Sequence, residues 1–276
     1  MLRTIFYKLP PQLRFLARSI FYLPLDIWES LSGKRDPLTP PRGLIYTGSG
    51  DFRAQGEKML RFFVEKGGLQ PDHKVLDVGS GIGRMAAPLT RYLNKTAHYE
   101  GFDVIKLGVR WCQKHISTRF SNFHFNYIPI NNDLYRADGE DATKFRFPYN
   151  DESFDFTIVI SVFTHLLPNQ VENYLQEISR TLKPGGTCVA TFFLLNEESK
   201  PLMPANPAFS FPFDYGHYRL MDEQVKSANV AFDENYLQKQ ITNAGLTIAQ
   251  TYYGYWCGRD KAACEDFQDV IIFKKL

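Results

Sequence analysis

Carboxylates at the ends of apolar runs, closely set glycines and a histidine just past a hydrophobic strand are the groups in this sequence able to hold a small molecule and act on it. The first set lies in Lys74-Val75-Leu76-Asp77-Val78-Gly79-Ser80-Gly81-Ile82-Gly83-Arg84. Val75, Leu76 and Val78 suit a strand covered on both faces. Gly79, Gly81 and Gly83 then let the backbone turn tightly and approach a ligand without a Cβ in the way. Dinucleotide loops read G-x-G-x-x-G/A, with a small third residue that lets helix and strand pack closely. Here Arg84 holds that place, and the third glycine comes one residue early. A carboxylate at Asp77 would repel a diphosphate and attract a cation. The second acid, Asp103 in Tyr99-Glu100-Gly101-Phe102-Asp103-Val104, follows at the distance where an acid ending the next strand accepts ribose hydroxyls. Together they predict a cationic nucleoside ligand, held by Asp77, Gly79, Ser80, Gly81, Gly83, Asp103 and Val104.

A third group follows the apolar run of residues 154–161. Ser161-Val162-Phe163-Thr164-His165 sits where the carboxyl end of a parallel strand would present ligands. Ser161 is expected against the cofactor, and His165 is the first candidate general base. Residues 196–232 are rich in proline and aromatics, with Phe209, Phe211, Phe213, Tyr215, His217 and Tyr218 beside Pro204, Pro207 and Pro212. Such a stretch reads as a lid over an acceptor pocket. His217 and Tyr215 are its secondary acid/base candidates, and a satellite hydrophobic cluster is the alternative. Tyr46, Phe52 and Arg53 are placed to close the cofactor site from the N-terminal side. Tyr252, Tyr255, Trp256 and Arg259 suit either an acceptor site or core packing.

The elements that must position these groups alternate between strand and helix signals, the pattern of a parallel sheet with helical crossovers. Strands are expected at about 73–78, 98–103, 122–130, 154–161, 187–194, 246–253 and 270–273. Asp51 is an expected N-cap for a helix that carries Phe52, Met59, Leu60, Phe63 and Val64 and stops at Gly67-Gly68. Met85, Leu89 and Leu93 mark a helix after the first strand. Pro168 opens another bearing Val171, Leu175, Ile178 and Leu182, and Asp233 caps one that Gly245 closes. Residues 32–50, rich in Gly, Pro, Ser and Thr, read as a linker or wrapping loop. The expected organisation is an N-terminal extension at 1–50 and a catalytic domain at 51–276.

The glycine loop, the strand-ending Asp103, the stretch Phe147-Pro148-Tyr149-Asn150-Asp151-Glu152-Ser153-Phe154-Asp155 and the turn Leu182-Lys183-Pro184-Gly185-Gly186 occur in an order that resembles the class I, Rossmann-like methyltransferases dependent on S-adenosylmethionine. The resemblance covers roughly residues 68–194, more weakly to 245. It implies an α/β fold of seven mostly parallel strands with helices on both faces, the last strand inserted antiparallel. It also implies transfer of a methyl group from S-adenosylmethionine, leaving S-adenosylhomocysteine, without a metal. The family usually has an acid near the adenine amino group at the end of strand three; this chain has Tyr127-Ile128-Pro129-Ile130-Asn131-Asn132-Asp133. Asn131, Asp141 or a backbone group are the alternatives there. The Asn/Asp-Pro-Pro-Tyr/Phe segment of enzymes that methylate base or amide nitrogens is absent. DNA adenine methylation is accordingly not expected; the leading expectation is a small or lipid-linked acceptor, methylated at a hydroxyl oxygen. An S-adenosylmethionine-binding or membrane-associated scaffold and an NAD-dependent oxidoreductase are the rival readings. The latter is opposed by Arg84 and by the lack of a Tyr-x-x-x-Lys stretch.

The chain of 276 residues suits one α/β domain with additions, and its 44% apolar content is ordinary for a globular core. A net charge of +2 with mixed acids and bases asks for no nucleic acid. Cys112, Cys188, Cys257 and Cys264 lack metal-site spacing and read as reduced thiols of a cytoplasmic protein. The first thirty residues are apolar and basic, with Arg3, Lys8, Arg14 and Arg18 preceding the first acid, Asp26. They match neither a secretory signal nor a membrane span. After Pro11, Leu13, Leu16, Ala17 and Ile20 share one helical face, and Arg14 and Arg18 another. That helix either packs over the domain or lies at the inner membrane surface, making residues 1–31 a peripheral membrane contact.

Overall fold

The computed structural model describes residues 11–276 apart from 34, 47, 49, 135–137 and 204–208. Arg3, Lys8, Pro204 and Pro207, singled out above, lie outside the described residues. Helix α1 (Pro11–Leu31) precedes a wrapping segment with a 3₁₀ turn at Arg42–Leu44. Helix α2 (Phe52–Glu65) starts where Asp51 accepts from Ala54 N at 2.7 Å, satisfying a first-turn N–H that has no partner within the helix. The alternation then runs β1 (Lys74–Val78), α3 (Ala86–Tyr92), β2 (His98–Asp103), α4 (Lys106–Cys112), β3 (Phe123–Tyr127), β4 (Phe154–Val159), α5 (Pro168–Thr181) and β5 (Leu182–Phe192). β6 (Leu194–Leu195), α6 (Ser199–Leu202), β7 (Phe213–Asp214), β8 (Tyr218–Leu220) and β9 (Val230–Asp233) follow. The chain ends with α7 (Glu234–Asn243), β10 (Leu246–Tyr252) and β11 (Asp269–Lys275).

Seven strands form the main sheet in the order β10-β11-β5-β4-β1-β2-β3. β1 to β5 pair in parallel where they are neighbours, and β11 runs antiparallel between β5 and β10, as the resemblance implied. α5 and α7 bury Val171, Leu175, Leu237 and Ile241 against one face. α2, α3 and α4 bury Phe63, Leu89 and Val109 against the other. Because side chains alternate along a strand, Leu76 and Val78 enter the first core and Val75 the second.

Residues 196–232 form the satellite cluster that is the alternative to a lid. They are not an irregular aromatic flap: β7, β8 and β9 with β6 make a second, four-stranded sheet. Phe209 and Phe211 are buried with Phe193 and Trp256 in a separate cluster, ring centroids of Phe209 and Phe193 lying 4.9 Å apart. Pairing with β9 gives the insertion a backbone partner, and β6 extends past the main sheet to supply a second floor on which its rings are desolvated.

Candidate active site

One cleft opens at the carboxyl ends of β1, β2 and β4, where the strand order reverses direction between β1 and β4. Its enclosed cavity is about 160 Å³, widening to open solvent at the mouth. Asp77, Gly79, Ser80, Gly81, Asp103, Val104, Asn131, Ser161 and His165 all line it, along with Arg84, Tyr46 and Asn132.

The loop after β1 is built by its glycines. Gly79, Gly81 and Gly83 have φ of 74°, 57° and 80°, a region that costs a side chain energy. At Gly79 a Cβ would also overlap Val162 Cγ2, so the loop can close against the segment after β4 only with hydrogen there. Gly83 does not line the cleft; its Cα is pressed between Cys112 Sγ and Ile116, each 2.9 Å from where a Cβ would stand, so it brings the loop onto α4.

Asp103 is fixed by backbone donors: Gly81 N donates to Oδ2 at 2.8 Å and Ile105 N to Oδ1 at 2.7 Å. Each oxygen keeps a lone pair for a ligand hydroxyl. Burial pushes its carboxyl up to about 6, opposed by those N–H groups. Asp77, 1% exposed, accepts a short hydrogen bond from the Tyr99 hydroxyl. Its carboxyl is pushed up to about 7 by burial, against the Tyr99 bond, with the Asp103 charge adding to the rise. A cation between the two would favour both ionised forms. Ser80 Oγ is buried without a hydrogen-bond partner in the protein. Two desolvated acids, a backbone-lined turn and an unpaired hydroxyl fit S-adenosylmethionine, whose ammonium, sulfonium and ribose supply the complementary charges and donors.

At the far wall, Ser161 has φ of 57°, a strained value for a residue with a side chain. Its N–H donates to Thr191 Oγ1 at 2.7 Å and its hydroxyl to Gln268 Oε1 at 2.9 Å. His165 lies on a 3₁₀ turn at Phe163–His165, with Nδ1 2.8 Å from Ser227 O. A carbonyl only accepts, so Nδ1 carries the proton and Nε2 is the basic nitrogen. Burial holds the ring below its ordinary value, against the Ser227 bond, so it is neutral near pH 7. Asn132 Nδ2 donates to His165 O at 2.9 Å and fixes the turn from the other side.

Other expected residues lie elsewhere. Asp141 is exposed, outside the cleft, and accepts from its own neighbour Thr143. Tyr215 is exposed and donates to Glu223 at 3.0 Å, while His217 packs on Tyr236 with centroids 4.3 Å apart. Among the described residues of 196–232 none lines the cleft; the segment reaches it through the Ser227 carbonyl. Asp133 anchors that contact by accepting from Lys226 N and Ser227 N at 2.8 and 3.0 Å. Phe52 is core beneath the Arg84 guanidinium, and Arg53 pairs with Asp36 at the surface. Trp256 and Arg259 both turn to the buried Asp269. Tyr99, Asn132 and Ser227 were not singled out from sequence. Each acts through a partner distant in the chain, and only the alternation placing Tyr99 beside Asp77 was a usable signal.

Residues 76–190 match the family profile described as a methyltransferase domain. Methyltransferase GfsG of Streptomyces halstedii is 30% identical over 138 residues, 48% of this chain and 41% of that protein. The chain thus spans less than half the length of this curated relative. A solved protein of Pyrococcus horikoshii OT3, PH0226, shares the fold with a TM-score of 0.59 at 18% identity, covering 83% of this chain and 93% of its own. The Burkholderia thailandensis 1,6-didemethyltoxoflavin-N1-methyltransferase, solved with S-adenosylhomocysteine bound, superposes with a TM-score of 0.53 at 17% identity, over 97% and 90%. With the glycine loop and Asp103 inside the matched segment and β11 antiparallel beside β5, residues 76–190 carry a methyltransferase domain, and the fold is that of the Rossmann-like, S-adenosylmethionine-dependent methyltransferases.

Proposed function

We propose that this chain transfers a methyl group to a hydroxyl oxygen of a small or lipid-linked acceptor, in the cytoplasm beside a membrane that residues 1–31 contact. The observation that carries the reading is the pair of buried carboxylates, Asp77 and Asp103, facing one cleft across a glycine turn, with a neutral histidine on the opposite wall. Bound S-adenosylmethionine supplies an activated methyl group. Asp103 holds the ribose hydroxyls, Asp77 the cationic methionyl end, and Asn131 stands on the adenine side. Arg84, in the same cleft, carries the charge that suits a methionyl carboxylate.

A hydroxyl acceptor must lose its proton as it attacks, and His165 is the group able to take it, at Nε2. Orientation can supply roughly 7 to 11 kcal/mol of the acceleration. The toxoflavin enzyme acts, by its name, on a nitrogen of a small molecule; oxygen is favoured here because a neutral, fixed base is of most use to an alcohol. All four cysteines are free thiols, as suits a reducing compartment.

Asp103→Ala tests the reading. Calorimetry should show wild-type protein binding S-adenosylhomocysteine, not NAD, and the variant losing at least about tenfold, the worth of one charge-assisted hydrogen bond. Equal affinity in the two proteins would sink the assignment.

A further inference from the structure

α1 is built inside out. Its polar side faces the protein: Asp26 accepts from Arg42 N at 2.7 Å, from Gly43 N at 2.9 Å and from Arg35 at 3.1 Å. Glu29 accepts from Arg42 Nε at 2.8 Å, which keeps its carboxyl below the usual range. The helix also lies directly on the chain at residue 43, where a Cβ would come within 2.9 Å of Ser19 Cα. Its apolar side faces solvent. Leu13, Leu16, Ile20, Leu23, Ile27 and Leu31 recur at three- and four-residue spacing, each at least 50% exposed, and Phe21 and Trp28 widen the stripe. Single exposed leucines are ordinary, but a helix-long ridge of them marks a contact surface.

The geometry points to a bilayer surface containing anionic lipid as the occupant of this ridge, with α1 lying in the interface and its stripe among the acyl chains. Charge selects the lipid over a second copy of the chain. The first eighteen residues carry Arg3, Lys8, Arg14 and Arg18 and no acid. The acids of α1, Asp26 and Glu29, are already engaged by Arg35 and Arg42. An antiparallel second α1 would find no acid to meet that basic end, and a parallel one would set it against itself; anionic headgroups neutralise it. The stripe with Phe21 and Trp28 is also broader than the two-per-heptad seam of a helix pair. No helix among the described residues is long and apolar enough to cross a membrane, so α1 lies on the surface. The turn that receives α1, Arg42–Leu44, leads straight to Tyr46 and Gly48 in the cleft wall, so docking brings the cleft beside the lipid. This inference rests on the membrane contact proposed above and not on the transfer reaction.

Flotation of the full chain with vesicles of phosphatidylcholine alone, or mixed with phosphatidylglycerol, tests it. Wild-type protein should partition at least about tenfold more strongly into the mixed vesicles, and added salt should reverse the gain. Leu16→Ser, Ile20→Ser and Ile27→Ser combined should abolish partitioning while leaving S-adenosylhomocysteine binding unchanged. Ile20→Ser alone serves if the triple variant loses that binding. Wild-type protein staying in the aqueous phase with both vesicles, or partitioning equally with the variants, overturns the inference. So does a wild-type dimer that the variants convert to monomer. Failure of wild-type protein to bind S-adenosylhomocysteine would instead remove the transfer reading and leave the flotation result standing.

Discussion

The hydroxyl of Tyr99 on β2 donates to Asp77 on β1, inside the sheet, so an acid that lines the cleft is held from behind by a wholly buried phenol. The pair makes ligand binding depend on pH. Asp77 is pushed up to about 7 and Asp103 to about 6 in the free cleft, both chiefly by burial. A cationic ligand prefers their ionised forms, so affinity for S-adenosylmethionine should rise as pH increases through 6 to 7. Stability of the free protein should move the other way. Between the ordinary carboxyl value of 3.8 and about 7 the folded state binds more protons than the unfolded chain, so the favourable contribution is full at low pH and is lost as pH rises. Asp77→Asn should flatten both dependences, and Tyr99→Phe should move the binding midpoint upward. Calorimetric titrations and urea unfolding across this range would show either slope missing in wild-type protein if the assignment is wrong.

Gly79→Ala should fold less stably by about 1–3 kcal/mol, from left-handed backbone strain and from overlap with Val162. Val162→Ala in the same chain should recover the overlap part and leave the strain. Thermal unfolding of the two variants measures this; full recovery, or none, would contradict the split.

His165 should titrate below its ordinary value with the proton on Nδ1, in the tautomer the Ser227 carbonyl demands. Two-dimensional nitrogen NMR of the imidazole reads both. With an acceptor in hand, His165→Gln should lower kcat by ~10²–10⁴-fold, and the rise of rate with pH through the histidine value should vanish. Unaltered S-adenosylhomocysteine affinity in the variant separates this from loss of the cleft.

Asp269 is fully buried and accepts from Leu194 N, Gly254 N and Trp256 Nε1, each at 2.7 Å, with Arg259 at 3.4 Å. Removing it strands those three buried donors, while Arg259 keeps Glu198 at 2.9 Å and the Gly254 carbonyl at 3.0 Å. Asp269→Ala should therefore cost ~3–5 kcal/mol in urea unfolding, far more than a surface change. A loss under ~1 kcal/mol would mean that water replaces the carboxylate.

Asp77, Asp103 and the order of elements were legible in the sequence because each is a local signal: an apolar run, the acid that ends it, the glycine that follows. The caps at Asp51 and Asp233 were legible for the same reason. His165 was placed by its distance from the end of β4. What escaped depends on contacts far apart in the chain. Nothing near residue 227 says that its carbonyl reaches His165, 62 positions earlier. Composition leaves residues 196–232 open between a lid and a satellite hydrophobic cluster; the cluster forms, and the pairing of β8 with β9 that gives its rings a floor is tertiary. In α1 the apolar face was visible; that it points outward was not, because the outcome rests on Arg35 and Arg42 capturing Asp26 and Glu29.

The hold on His165 comes from a main-chain oxygen. Any residue at position 227 presents a carbonyl, so the contact with the imidazole does not depend on the side chain there. Substitutions at position 227 that keep the fold should therefore leave the histidine tautomer unchanged.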